Sequence, residues 1–297
     1  MPPGPDQADL PQVIGLEAEL AEQATLITSV YAIIILLGLV VLTWFVRRQR
    51  RHPLAWREAL SRLYWRPWGL AESRTLLLVL AGALLVSLFV RPWIAQAAVA
   101  SGLTLGAFLV VLQSILFHWV GLIAVVVLLR RRRLPWRSAF GLQPATLLRD
   151  AGRGVLILLG TMPVLVLGAV LYNLVLQLFG FQATLQDVAY ILSDATSPWL
   201  RVYFLLLAVV LAPLFEEILF RGILLPALAK RFGSTAATLA VSLLFAGIHA
   251  HVPSLVPLFI LSVSLCLAYI GTGSLAASVA MHALFNGVTV SLLFFLQ

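Results

Sequence analysis

Long apolar runs, separated by short polar or arginine-rich stretches, dominate the chain from residue 26 onward. Runs of about 20 apolar residues are long enough to cross a ~30 Å hydrocarbon core as an α-helix. We predict eight membrane spans, at residues 26–46, 74–91, 99–129, 152–180, 199–229, 235–250, 254–271 and 274–296. The third, fourth and fifth runs exceed one straight crossing, so we expect tilt, kinks or extension beyond the membrane there. The pattern predicts an all-α fold, a polytopic membrane helical bundle with about eight transmembrane helices.

Composition indicates the same class of protein. The chain is 61% hydrophobic and 11% charged, and its mean hydropathy is +1.02. These values lie far outside the usual range of soluble domains. The net charge of +8 does not indicate nucleic-acid binding, because the basic residues form short clusters beside apolar runs, as juxtamembrane loops do. We therefore expect the lipid bilayer as a partner, and no nucleic acid.

The positive charges predict the orientation of the chain in the membrane. The loops after the first, third and fifth spans hold 17 of the 20 Lys and Arg residues. Because basic loops stay on the cytoplasmic side, we expect both termini on the extracytoplasmic side. The arginine-rich, lysine-poor composition, heavy in Ala and Leu, favours a prokaryotic source and hence a bacterial cytoplasmic membrane. The single cysteine, Cys266, lies in an apolar run and indicates nothing about redox compartment.

One predicted span carries charge in its interior. The sequence APLFEEILFRG at residues 212–222 places two glutamates and an arginine inside the fifth span. Each charge at the bilayer centre costs about 2.5–3.5 kcal/mol on insertion scales, and such residues usually serve a function. Glu217 and Arg221 are four residues apart on one helix face, so we expect an ion pair. Glu216 points about 100° away and needs another partner, and Pro213 should kink the helix or make it restart.

Polar residues in two later spans are expected at a similar depth. Glu216 lies 15 residues before the cytoplasmic end of span five, and His249 lies 15 residues after the cytoplasmic start of span six. His282 and Asn286 in span eight are four residues apart and face the same way. A carboxylate beside an imidazole can deprotonate water, and a second His with an Asn can stabilise an oxyanion. These groups suit amide hydrolysis without a covalent intermediate, although one Glu and two His can also bind zinc.

Three motifs in the C-terminal part of the chain resemble those of the CPBP family. This family comprises the CAAX prenyl proteases of type 2 and the bacteriocin-processing intramembrane proteases. The motifs have the forms E-E-x-x-x-R, F-x-x-x-H and H-x-x-x-N, and they match the family in order and spacing. Their residues are Glu216, Glu217, Arg221, Phe245, His249, His282 and Asn286. The resemblance covers roughly residues 200–296.

The resemblance implies an eight-helix intramembrane endopeptidase, a hydrolase. By analogy with the family, Glu216 and His249 activate water, and His282 and Asn286 form the oxyanion site. Our leading interpretation requires no cofactor, because Asn286 suits an oxyanion site better than zinc ligation. If a metal binds instead, zinc is the candidate, and its ligands are Glu216, His249 and His282.

We expect the other polar and aromatic residues of the spans to support the site or the fold. The resemblance implies that the Glu217–Arg221 pair holds the architecture, and we expect Phe245 to shape the wall of the pocket. His118, in the third span beside a tryptophan, is expected to be structural. His251 is expected to lie at the membrane interface.

The chain divides into three predicted parts. Residues 1–25 form an acidic extracytoplasmic tail, and residues 26–150 form the N-terminal transmembrane helices with their basic cytoplasmic loops. Residues 151–297 form the CPBP-like catalytic transmembrane core. Within the first loop, residues 54–69 mix Trp, Tyr and Leu with Arg, which suits a helix lying in the interface. Residues 181–198 form either a cap on the bundle or a plain surface loop.

The predicted function is therefore endoproteolysis of membrane-associated or lipidated peptides and proteins. Two alternatives from other classes stay open at this stage. An ion-coupled transporter would also place charge inside the membrane, but the chain has no inverted repeat. A non-catalytic membrane scaffold or immunity protein would keep the fold without the chemistry.

Overall fold

The computed structural model describes residues 10–101, 104–181, 184 and 197–295, and the regular elements in these ranges are all helical. In chain order the helices are α1 (Leu10–Arg51), α2 (Pro53–Tyr64), α3 (Leu70–Phe89), α4 (Arg91–Ser101), α5 (Leu105–Arg131), α6 (Trp136–Phe140), α7 (Leu147–Leu178), α8 (Pro198–Phe232), α9 (Ser234–Ile248), α10 (Leu255–Thr272) and α11 (Leu275–Phe295). The predicted all-α fold is confirmed for this part of the chain.

Seven of the described helices are long and apolar enough to cross a membrane, namely those in α1, α3, α5, α7, α8, α10 and α11. The apolar helix α9 has 15 residues, a length of about 22 Å at 1.5 Å per residue. Together these helices account for the eight predicted spans and confirm a polytopic helical bundle. The predicted third span differs in detail, because α5 starts at Leu105, where the Thr104 side chain caps it by accepting a hydrogen bond from Ala107 N.

Helix α7 packs against α1, α10 and α11 and so organises the C-terminal helices. Glycines permit the close approach. A Cβ added to Gly38 of α1 would lie 2.5 Å from the carbonyl oxygen of Leu159, and one added to Gly154 of α7 would lie 2.0 Å from that of Ala277 in α11. Small residues at helix interfaces let backbones meet in this way. Helix α11, which carries two predicted site residues, is thereby held against α7.

Most of segment 54–69, which we expect to lie in the membrane interface, forms α2 (Pro53–Tyr64), and this helix contacts α8 and α10. Ala59 and Leu63 are buried on its inner face. Arg66, just beyond the helix, donates hydrogen bonds to the carbonyl oxygens of Ser138 and Gly273. The basic loops therefore tie the ends of several helices together at the predicted cytoplasmic face.

Two predicted segments lie partly outside the described residues. The acidic segment 1–25 is described from Leu10, where α1 begins. The predicted cap or loop at 181–198 is described only at residues 181, 184, 197 and 198.

Three π-helical turns interrupt the regular geometry of α5 and α8. They span Ile115–Trp119 in α5 and Leu207–Leu211 and Ile218–Leu224 in α8. We expected a kink or a restart of the helix at Pro213. The structure instead has the π-helical turn Leu207–Leu211 just before Pro213, and the helix continues through this residue without restarting. The wider turn changes the hydrogen-bond register just before the residue that lacks an N–H. Single π-helical turns are frequent at functional sites.

Candidate active site

Glu216 and Glu217 end the regular helical stretch Ala212–Glu217 of α8, and Arg221 lies in the π-helical turn Ile218–Leu224 that follows it. The side chains of Glu217 and Arg221 are 0% exposed, whereas that of Glu216 is 13% exposed. Buried charges are tolerated only when they are paired and hydrogen-bonded. The pair and the third charge therefore have different surroundings, and each needs its own partners.

Glu217 accepts two hydrogen bonds on one oxygen. Its Oε1 lies 2.7 Å from Arg221 Nη1 and 2.9 Å from His282 Nδ1. Arg221 also donates to the carbonyl and hydroxyl oxygens of Ser262 in α10, at 3.2 and 2.6 Å. Its guanidinium carbon lies 4.6 Å from the centroid of the Phe245 ring, a cation–π contact. The ion pair thus joins α8, α9, α10 and α11.

The contact with Glu217 determines which nitrogen of His282 faces the site. A carboxylate paired with arginine only accepts hydrogen bonds, so His282 Nδ1 carries a proton. His282 is 3% exposed, and its Nε2 lies 3.8 Å from Oε2 of Glu216. Glu217 therefore orients the imidazole in the way that carboxylates orient histidines at many enzyme sites. Nε2 is the nitrogen left to face a reacting group.

Glu216 lies among three imidazoles. Its Oε2 faces His282, its Oε1 lies 4.0 Å from His118 Nε2, and it interacts electrostatically with His249. The distances to His282 and His118, 3.8 and 4.0 Å, are longer than a hydrogen bond. Catalytic hydrogen bonds are often long in unliganded enzymes and tighten when substrate binds. The structure thus brings the predicted acid close to His282 and within electrostatic range of His249.

His249 lies at the C-terminal end of α9. Its Nδ1 lies 2.7 Å from the carbonyl oxygen of Phe245, so Nδ1 donates and Nε2 is left to accept. The Phe245 ring is fully buried, and its centroid lies 4.8 Å from that of His249 and 5.6 Å from that of His282. Phe245 therefore packs against both imidazoles.

Asn286 contacts α8 at the π-helical turn before Pro213. Its Nδ2 donates to the carbonyl oxygen of Ala208 at 2.8 Å. In a π-helical register the donor for that oxygen would come from residue 213, five positions on, but proline has no N–H. The Asn286 amide therefore supplies a hydrogen bond that the helix itself cannot make.

His118 of α5 is the neighbour of Glu216 that our sequence interpretation missed, because we expected only a structural role for it. A histidine inside an apolar span is itself a signal of function, but its position in the sequence does not say which helix it faces. His251 lies elsewhere: its two ring nitrogens contact the hydroxyls of Ser254, at 2.8 Å, and Thr184, at 3.1 Å.

The side chains do not form a ready-made zinc site. In the part of the chain that the structure describes, no group of three or more His, Cys, Asp and Glu side chains is arranged to hold a metal ion. A catalytic zinc needs its protein ligands at about 2.0–2.2 Å from one point. Of the three candidate ligands, His282 engages Glu217 through Nδ1, so its Nε2 is the nitrogen that a metal would bind. The arrangement suits acid–base chemistry by a carboxylate and imidazoles.

Residues 198–288 match the family model described as Type II CAAX prenyl endopeptidase Rce1-like. The matched segment is just under a third of the chain and contains every predicted site residue from Glu216 to Asn286. No curated protein and no solved structure matches the chain at a significant level. The match confirms the resemblance to the CAAX protease family, whose members are intramembrane endopeptidases.

Proposed function

We propose that this chain, an integral membrane protein with a CAAX-type intramembrane endopeptidase domain at residues 198–288, cleaves membrane-associated or lipidated peptides and proteins. The observation that carries the proposal is the approach of the Glu216 carboxylate to His282 Nε2, with Glu217 holding the opposite ring nitrogen. A peptide that is already anchored in the bilayer reaches such a site with little further desolvation free energy. A soluble peptide must first move its polar backbone groups out of water.

In the proposed reaction, Glu216 takes a proton from water while the water oxygen attacks the carbonyl carbon of the scissile bond. His249 orients that water through Nε2. His282 acts as an imidazolium, with Nδ1 donating to Glu217 and Nε2 donating to the oxyanion. The carbon–nitrogen bond then breaks, and the proton held by Glu216 passes to the leaving amine.

Asn286 serves the oxyanion site with its second N–H. A carboxamide nitrogen has two N–H donors, and one of them is used on the Ala208 carbonyl oxygen. This contact fixes the amide plane, so the other N–H is aimed without a further loss of side-chain entropy. Preorganised donors of this kind stabilise the charge that develops in the transition state.

The decisive experiment is Glu216→Gln in purified protein, assayed with a fluorogenic lipopeptide. We expect kcat to fall by about 10²–10⁴-fold, the usual contribution of a general base, because an amide cannot take the proton from water. Glu58→Gln is the matched control, since Glu58 is exposed on α2. Undiminished cleavage by Glu216→Gln would refute the proposed mechanism, and a wild-type protein without turnover would favour a membrane scaffold or immunity protein.

The same assay tests whether a metal takes part. We propose that the reaction needs no metal ion, so turnover should be insensitive to EDTA. Activity that disappears with EDTA and returns with zinc would overturn this assignment. The ligands would then be sought among Glu216, His249 and His282.

We further propose that the protein resides in a bacterial cytoplasmic membrane with both termini extracytoplasmic. Support comes from the basic loops after spans one, three and five, which hold 17 of the 20 Lys and Arg residues. The arginine-rich composition, with Lys230 as the one lysine, supports a prokaryotic source.

A further inference from the structure

We infer that His118 is a positioning residue for Glu216, and this inference rests on the proposed hydrolysis. His118 lies on α5, outside the matched segment 198–288 and 80 residues before its start in the sequence. It would thus give the N-terminal half of the chain a direct part in the chemistry of the C-terminal domain.

The first support is the state of the His118 ring. Its Nδ1 lies 3.3 Å from the carbonyl oxygen of Ser114, which can only accept, so Nδ1 is the donor. Its Nε2 is buried and has no hydrogen-bond partner among the residues that the structure describes. A buried nitrogen without a partner is rare in proteins and calls for an explanation. The carboxylate at 4.0 Å, Oε1 of Glu216, is the partner that Nε2 gains when the imidazole carries a second proton there.

The second support is the pairing of nitrogens with oxygens. Oε1 of Glu216 faces His118 Nε2, and Oε2 faces His282 Nε2. A proton on His118 Nε2, donated to Oε1, would draw that oxygen toward α5 and hold the carboxylate plane while Glu216 stays ionised. Oε2 would then stay directed at His282 and at the place where the proposed water must lie.

The third support is the packing that brings α5 to this place. A Cβ added to Gly121, one turn after His118, would lie 2.1 Å from the Phe215 ring, so the glycine permits the close approach. The His118 ring packs against Phe117 and Phe215, with centroid distances of 5.3 and 5.8 Å, and these two rings also contact each other. Ser114 and Tyr203 share a hydrogen bond between α5 and α8 one turn earlier. The imidazole is therefore held on an apolar wall and directed at Glu216.

A general base that is misplaced by about 1 Å can lose 10²-fold in rate. Loss of His118 should therefore lower kcat while KM stays unchanged, because the substrate does not need His118 to bind. We expect His118→Phe and His118→Asn to lower kcat by about 10–10²-fold. Glutamine can place a polar atom near the position of Nε2, whereas asparagine reaches only to the position of Nδ1. His118→Gln should therefore keep most of the activity.

His52→Gln is the matched control, since His52 is exposed at the junction of α1 and α2. Thermal unfolding in detergent checks the integrity of each variant. A wild-type kcat in His118→Phe would overturn the inference. So would an equal loss in the Phe, Asn and Gln variants that follows a loss of thermal stability, because that pattern indicates a purely structural side chain.

A second measurement does not depend on cleavage. In protein with ¹⁵N-labelled histidine, the His118 Nε2 resonance is assigned as the one that disappears in His118→Gln. Glu216→Gln should shift this resonance, and Glu58→Gln should not. An unchanged resonance in Glu216→Gln would refute the contact even if the protein proved to be an active protease, and a shifted one would uphold it even if no peptide were cleaved.

Discussion

Glu217 contributes more than the ion pair that its spacing with Arg221 predicts. One oxygen accepts both from Arg221 and from His282, so the same carboxylate neutralises a buried guanidinium and orients an imidazole. At the scale of single residues, the ion pair and the proposed oxyanion donor, His282, are therefore coupled. A change at Glu217 should affect both the stability of the fold and the direction of His282 Nε2.

We predict that Glu217→Gln destabilises the protein by about 3–5 kcal/mol, the usual cost of leaving one partner of a buried ion pair unpaired. The glutamine keeps an acceptor for His282 Nδ1, so the change isolates the loss of charge. Unfolding in mixed micelles measures the cost.

The double variant Glu217→Gln with Arg221→Met is the control. It removes both charges and should recover much of the lost stability, because replacing both members of a buried pair is often close to neutral. If Glu217→Gln alone were as stable as the wild type, the prediction would be wrong. It would also be wrong if the double variant were no more stable than Glu217→Gln alone.

At the scale of helices, the irregularity of α8 determines its contact with α11. Pro213 and the π-helical turn before it free a carbonyl oxygen at Ala208, and Asn286 of α11 donates to it. A regular helix would satisfy that oxygen internally and leave Asn286 without this partner. The π-helical turn therefore fastens α11 to α8 and sets the direction of the Asn286 amide.

We predict that Asn286→Ala lowers the free energy of unfolding by about 1–3 kcal/mol, the usual penalty for a hydrogen-bonding group left unsatisfied. The cost should be smaller in a Pro213→Ala background, where residue 213 regains an N–H. A double-mutant cycle of unfolding free energies measures the coupling between the two positions. Additive effects would show that Asn286 and Pro213 act independently, contrary to this account.

At the scale of the whole molecule, the three basic loops meet, because Arg66 donates to the carbonyl oxygen of Ser138 and Lys230 donates to that of Arg66. Ser138 in α6 and Ser197 before α8 are both exposed and lie at opposite predicted sides of the membrane. The native thiol of Cys266 is buried, so it should not react in the folded protein. Cysteine variants of the two serines therefore form a matched pair for testing the orientation.

We predict that a membrane-impermeant maleimide labels Ser197→Cys in intact cells, whereas Ser138→Cys reacts only after the membrane is permeabilised. This outcome follows from the positive-inside rule, which assigns the arginine-rich loop near Ser138 to the cytoplasm. The opposite labelling pattern would reverse the proposed orientation and place both termini in the cytoplasm.

Features that depend on local properties of the chain were predictable from the sequence. The spans follow from the lengths of apolar runs, and the Glu217–Arg221 pair follows from its four-residue spacing on a helix. The constant rise of a helix also gives the expected depth of Glu216 and His249 in the membrane, which stays a prediction. The family resemblance, from short motifs, pointed to the part of the chain that the family model matches.

Contacts that depend on how helices rotate and approach each other were decided only by the tertiary structure. Spacing along the chain places His282 on a face of α11, but the packing of α11 beside α8 directs its Nδ1 at Glu217. The approach of His118 to Glu216 depends on Gly121 admitting the Phe215 ring. Sequence periodicity defines the faces of a helix, whereas side-chain volumes at the interfaces choose which faces meet.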